Sequence, residues 1–167
     1  MRKAFLLLFA AILMIKPISV QAKKGFRYED YKIPEEYISY FEEYGARSNI
    51  CPELLESIAF YESRFEKDVT NKNCIGIMQI DIKIHSDRIR SFGYQIEDMY
   101  DPEKNIEIAC DILSEFYEIY GDNNYLVILS YAGRKNEILN YKKTGKLSEY
   151  ATKILWLSEK YERIHEK

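Results

Sequence analysis

Ala59-Phe60-Tyr61-Glu62-Ser63-Arg64-Phe65 closes a helical pattern that opens at Pro52. Proline suits a first helical position because its missing N–H would be unpaired there anyway. Leu55, Ile58, Ala59 and Phe65 follow at spacings that put them on one side of a helix, predicted over 52–65. Glu62 belongs to the same series, two turns after Leu55 and one after Ile58. A carboxylate centred on an apolar face is costly unless it is paired, and desolvation favours its neutral form. A glutamic acid still protonated near neutral pH can give its proton to a leaving oxygen. The same position also suits a glutamate paired with Arg64, Lys67 or another base, or one that reaches solvent at the helix end. Glu56 points away from the stripe and reads as a solvated charge. Glu66, one turn beyond Glu62, reads as exposed.

Outward from this helix the pattern stays helical. Glu35 and Glu36 follow Pro34 where a first turn favours negative charge, and Tyr37, Phe41 and Tyr44 continue at helical spacing. Residues 66–74 are polar turn material. Residues 75–80 are a short apolar run broken by Gly76, too short for a helix and suited to a small strand or hairpin edge. Asp101 is a good N-cap, Pro102 a good first residue and Gly121 a good terminator for a helix carrying Ile106, Ala109, Leu113 and Tyr117. Another helix covers about 125–131 and ends near Gly133. A last one starts at Ser148 with Tyr150, Ile154, Leu157 and Tyr161 on one stripe. The expected fold is mostly α: one helical domain over 34–167 with a small non-helical or β insert near 66–82.

The beginning of the chain reads differently. Arg2 and Lys3 precede an apolar run of 12 residues, 4–15, and Val20-Gln21-Ala22 has the small-x-small form of a cleavage site. Spanning a bilayer takes about 20 apolar residues, so 1–22 is expected to be a signal peptide cut after Ala22, with 23–33 as a lead-in. An exported protein in the periplasm, the cell envelope or the medium is therefore expected. Cleavage removes three of the 24 basic residues and none of the 27 acidic ones, leaving a net charge of −6. That sign gives no electrostatic footprint for nucleic acid. It gives no attraction to an anionic polymer either, so any such binding needs a shaped cleft. Cys110 lies on an apolar stripe and reads as a buried free thiol. Cys51 and Cys74 are candidates for a disulfide in an oxidising compartment, although spacing alone does not fix connectivity.

Five segments resemble, in order, the soluble lytic transglycosylase (SLT) and goose-type lysozyme group. The stretch around Glu62-Ser63 resembles its E-S motif. Ile75-Gly76-Ile77-Met78-Gln79-Ile80 resembles G-L-M-Q-I, and Asp101-Pro102-Glu103-Lys104-Asn105-Ile106 resembles D-P-x-x-N-I. Ser130-Tyr131-Ala132-Gly133 resembles A-Y-N-A-G, and Glu149-Tyr150 the start of the terminal E/N-Y-V helix. The likeness runs over roughly 40–160. It implies an α+β lysozyme-like fold and peptidoglycan glycan strands as substrate. It further implies Glu62 as catalytic acid, with Ser63 helping to set it. Gly76, Met78, Gln79, Tyr131 and Tyr150 would line the cleft or contact substrate. The asparagine of Y-N-A-G is missing here, or the segment is one residue short, which weakens any role given to an amide at that place and leaves room for an inactive, binding-only member.

The resemblance implies a lytic transglycosylase that uses Glu62 as acid and then base, and closes a 1,6-anhydro ring on N-acetylmuramic acid. Met78-Gln79-Ile80-Asp81 followed by His85 also resembles the goose-type M-Q-V-D…H stretch, in which Asp81 would be a second carboxylate for hydrolysis. Asp81 equally suits the N-cap of a following helix. With two histidines and no H-E-x-x-H, the chain shows no recognisable metal site, and no cofactor is expected. A monomer is expected, positioned by a cell-envelope assembly since no wall-binding module is recognisable.

Overall fold

The computed structural model describes residues 32–165. The expected signal peptide, 1–22, and nearly all of the expected lead-in lie outside the described residues. The described elements are α1 (Glu35–Ser48), α2 (Pro52–Ser63), β1 (Thr70–Asn71), β2 (Cys74–Ile75), β3 (Ile80–Asp81) and α3 (Ile82–Ser91). A 3-10 helix (Ile96–Tyr100), α4 (Pro102–Tyr120), α5 (Asn124–Tyr131), α6 (Lys135–Thr144) and α7 (Glu149–His165) follow. The fold is mostly α with one small antiparallel sheet of order β1-β2-β3. Thr70 pairs with Ile75 and Asn71 with Cys74; Cys74 pairs in turn with Asp81, and Ile75 with Ile80.

The local signals explain most of these elements. Asp101 caps α4 by accepting from the N–H groups of Glu103 and Lys104, Pro102 opens the helix and Gly121 ends it. Tyr37, Phe41 and Tyr44 of α1 are buried, as are Ile154, Leu157 and Tyr161 of α7. The helix expected to end at Phe65 stops at Ser63 instead. Arg64 and Phe65 adopt left-handed backbone, φ 59° and 63°, a conformation that non-glycine residues rarely take. Helix α6 has no counterpart in the sequence reading: only Ile138 among its side chains is buried, so it carries no apolar stripe.

Helix α2 runs through the core, packed against α7 and α1. Its burial is not confined to one stripe, because Leu54, Glu56, Ser57 and Phe60 are buried along with Leu55, Ile58 and Ala59. This corrects the reading of Glu56 as a solvated charge. Periodicity assumes a helix with a wet side, and α2 is enclosed on both. The carboxyl oxygens of Glu56 have no hydrogen-bond partner. Burial, reinforced by the charges of Glu53 and Glu42, pushes its pKa up to about 8. In the unfolded chain it titrates in the ordinary carboxylate range. Between that range and pH 8 the folded state therefore holds a proton that the unfolded state has lost, and stability falls as pH rises. Glu56→Met, which keeps an unbranched chain, is expected to raise stability at pH 8 by a few kcal/mol and much less at pH 4. Urea denaturation at both pH values measures this. An equal change at both would mean that the carboxyl does not titrate in the fold.

Candidate active site

Glu62 sits in the last turn of α2 and is half-buried. Neither cation proposed from sequence pairs with it. The Arg64 guanidinium lies over the Phe60 ring, 4.0 Å from its centroid, and Lys67 pairs with Asp68 at 2.9 Å. Instead, Tyr150 at the start of α7 donates its hydroxyl to Glu62 Oε1. Burial lifts the Glu62 pKa above the ordinary carboxylate range. The Tyr150 hydrogen bond and the positive charge of Arg134 oppose that rise without cancelling it. Glu66 is exposed, as expected.

The segment beside Glu62 is the tight connection between β2 and β3, residues 76–79, and three elements brace it. Ser63 Oγ of α2 donates to the Ile77 carbonyl at 2.6 Å. Asn105 of α4, fully buried, accepts from the Met78 N–H at 2.8 Å and donates to the carbonyls of Met99 (2.8 Å) and Ile75 (3.1 Å). Tyr131, the last residue of α5, donates its hydroxyl to the Met78 carbonyl at 2.8 Å. The Met78 side chain is in the core and both of its backbone polar groups are taken. The Gln79 side-chain amide donates to the carbonyls of Gly76 (2.9 Å) and Val69 (3.2 Å). Gly76 has φ +80°, and a Cβ there would lie 2.2 Å from the Met99 carbonyl oxygen. Ser63, Gly76, Met78, Gln79 and Tyr131 thus form one braced unit, and Tyr150 is tied to Glu62 itself.

Asp81 is placed otherwise. Its Oδ1 accepts from the N–H groups of Lys83 (3.0 Å) and Ile84 (3.3 Å), which makes it the N-cap of α3. Its neighbour across the sheet is Cys74, whose thiol pKa is raised by burial and then by the charges of Asp81 and Glu62. His85, on α3, is held below its ordinary pKa by burial and by Arg88. All three cysteines are free, so the candidate Cys51–Cys74 disulfide is not formed. The Cys51 thiol donates to Glu53 at 2.9 Å, while Cys110 is buried and its thiol is pushed up to about 12. A separate cavity of about 370 Å³ is lined by Tyr44, Arg47, Glu107 and Asp111. Its charges are already satisfied, Arg47 by Glu107 and Asp111 by Arg88.

Two residues of this site had no role in the sequence reading. Asn105 stands directly before Ile106, and an amide beside an apolar helix stripe is a signal of a buried hydrogen-bond hub. Arg134 follows Gly133 at the departure from the family pattern. Its Cζ lies 3.9 Å from the Tyr150 ring centroid, a contact that nothing in the local sequence announces.

A helix-borne glutamic acid whose pKa burial raises, beside a braced turn in a mostly helical domain, makes this the candidate active site. The chain matches the Transglycosylase SLT domain over residues 39–154 and belongs to that family. It is similar to Protein IpgF of Shigella flexneri, at 40% identity over 83 residues, covering 46% of this chain and 54% of that protein. Protein IpgF of Shigella sonnei matches with the same identity and coverage. The match spans about half the length of these curated relatives. Family membership supports glycan cleavage of the transglycosylase type in general.

Proposed function

We propose that this protein is a peptidoglycan lytic transglycosylase that cleaves the β-1,4 bond between N-acetylmuramic acid and N-acetylglucosamine. The observation that carries the reading is the Glu62 carboxyl, raised in pKa by burial and held by the Tyr150 hydroxyl beside the 76–79 turn. In this reading Glu62 gives its proton to the glycosidic oxygen as the bond to muramic C1 breaks. The carboxylate left behind takes the proton of the muramic C6 hydroxyl, which attacks C1 and closes a 1,6-anhydro ring. A well-oriented internal hydroxyl has an effective molarity on the order of 10⁵ M or more, so neither water nor a second carboxylate is needed. Ser63, Gly76 and Met78 are buried and hold in place the turn beside Glu62. Gln79, Tyr131 and Tyr150 would contact the sugar, and Tyr150 also holds the acid. The mature protein would act in the periplasm or cell envelope, as a monomer positioned by an envelope assembly.

The hydrolytic alternative needs Asp81 to direct a water, and the capping bonds of its Oδ1 count against that. Asparagine caps helices about as well as aspartate, so Asp81→Asn keeps α3 while removing the charge. Digestion of purified sacculi by this variant is expected to stay within about threefold of the unmodified protein. General-base catalysis contributes about 10²–10⁴-fold, so a loss on that scale in a folded variant would favour hydrolysis. Sacculus binding with no release of soluble fragments by the unmodified protein would favour a binding-only module.

A further inference from the structure

Among the described cations, Arg134 acts on Glu62, and its setting is built rather than incidental. The turn that carries it is anchored at both ends. Gly133, at φ +64°, donates to Ser130 O, and the Arg134 N–H donates to Leu129 O at 2.8 Å. The guanidinium pairs with Glu137, and Glu137 in turn accepts from the Ser148 hydroxyl just before α7. The guanidinium carbon lies over the Tyr150 ring, 3.9 Å from its centroid, within the range of a cation–π contact. Tyr150 is the residue that donates to Glu62. One chain of contacts therefore runs from Glu137 through Arg134 and Tyr150 to the acid.

We propose that Arg134 is a positioning residue for Glu62: it clamps the ring whose hydroxyl holds the carboxyl group, and keeps a positive charge beside the carboxylate that proton donation leaves. The inference rests on the reading of Glu62 as the acid. Arg134 follows directly on Tyr131-Ala132-Gly133, the segment that departs from the family's Y-N-A-G pattern. The charge has an asymmetric effect. It does little for the neutral acid of the ground state and favours the anion that forms as the glycosidic bond breaks, which is where added stabilisation accelerates the reaction.

The other groups facing Glu62 do not replace it. Tyr150 on α7 and Tyr131 on α5 are neutral at physiological pH, each with a pKa raised by burial and by the Glu62 charge. Cys74 on β2 is a thiol raised in the same way. Asp81 on β3 adds a negative charge to that side. Glu137 offsets part of the Arg134 charge, so the effect on Glu62 is below that of an unpaired cation.

The test is a ¹³C-carboxyl NMR titration of Glu62, with its signal assigned by its loss in Glu62→Gln, on the unmodified protein, Arg134→Gln and Arg134→Lys. An opposite charge at short range lowers a carboxyl pKa by about 1–3 units. With Glu137 paired to it, loss of Arg134 is expected to raise the Glu62 midpoint by about half a unit to one unit. Arg134→Lys should return the midpoint towards its original place without restoring the ring clamp. In sacculus digestion the alkaline limb should move upward by the same amount in Arg134→Gln, with a lower maximal rate in both variants. A folded Arg134→Gln whose Glu62 midpoint is unmoved would overturn the proposal. The titration does not depend on turnover, so an unmodified protein that fails to cut peptidoglycan would refute the proposed function while Arg134 is still judged on its own.

Discussion

Glu62→Gln is expected to abolish release of soluble fragments from peptidoglycan while leaving the fold unchanged. Glutamine keeps the shape of the side chain and an oxygen to accept the Tyr150 hydroxyl, but it has no proton to give and cannot take one back. General acid–base catalysis contributes about 10²–10⁴-fold for each group. One residue serving both steps puts the loss at the upper end, roughly 10³-fold or more. Stability should move the other way. A carboxyl whose folded pKa is raised destabilises the native state as pH rises through that pKa. The glutamine variant should therefore be as stable as the unmodified protein in acid and at least as stable at pH 8. Turbidity clearing of sacculi and thermal unfolding followed by circular dichroism measure the two effects. A folded variant retaining a tenth or more of the activity would remove Glu62 from the role of acid.

Gly76→Ala is expected to damage the whole 76–79 unit. The new Cβ would meet the Met99 carbonyl at 2.2 Å and the Asn105 side-chain nitrogen at 2.5 Å, both inside any tolerable contact. The residue would also have to hold φ +80°, which costs a non-glycine residue about 1–2 kcal/mol. Relief requires Asn105 to move, and Asn105 holds three buried backbone groups whose loss costs about 1–3 kcal/mol each. A destabilisation of about 3 kcal/mol or more follows, equivalent to a fall in Tm of roughly 10 °C for a domain of this size. Thermal unfolding of the two proteins side by side measures it. A Tm within about 2 °C would mean that Asn105 is not the anchor of the turn.

The fold was legible where a residue type does one local job. Pro52, Asp101, Pro102 and Gly121 mark helix ends by chemistry that acts within a single turn, and they do so here. The stripe that includes Glu62 was visible because Leu55, Ile58 and Ala59 are apolar on the side that is buried. Glu56 was misread because burial of α2 from both sides is decided by where α1 and α7 pack, and no periodicity within α2 carries that. The candidate site was legible through ordered motifs, yet its bracing was not. Asn105 and Tyr131 reach the Met78 backbone from positions 27 and 53 residues away, and Arg134 meets Tyr150 across a turn and a whole helix. Asp81 had two readings from sequence. Its hydrogen bonds to Lys83 and Ile84 support the cap, which favours the proposal that Glu62 does both halves of the proton transfer.

Mass spectrometry of the muropeptides released from purified sacculi by the unmodified protein tests that division of labour most directly. If Glu62 acts alone, as acid and then as base on the muramic C6 hydroxyl, the new glycan ends are 1,6-anhydro-N-acetylmuramic acid, lighter by one water than hydrolysed ends. New ends that are all reducing sugars would contradict the account, because they would require a water molecule and a group to direct it.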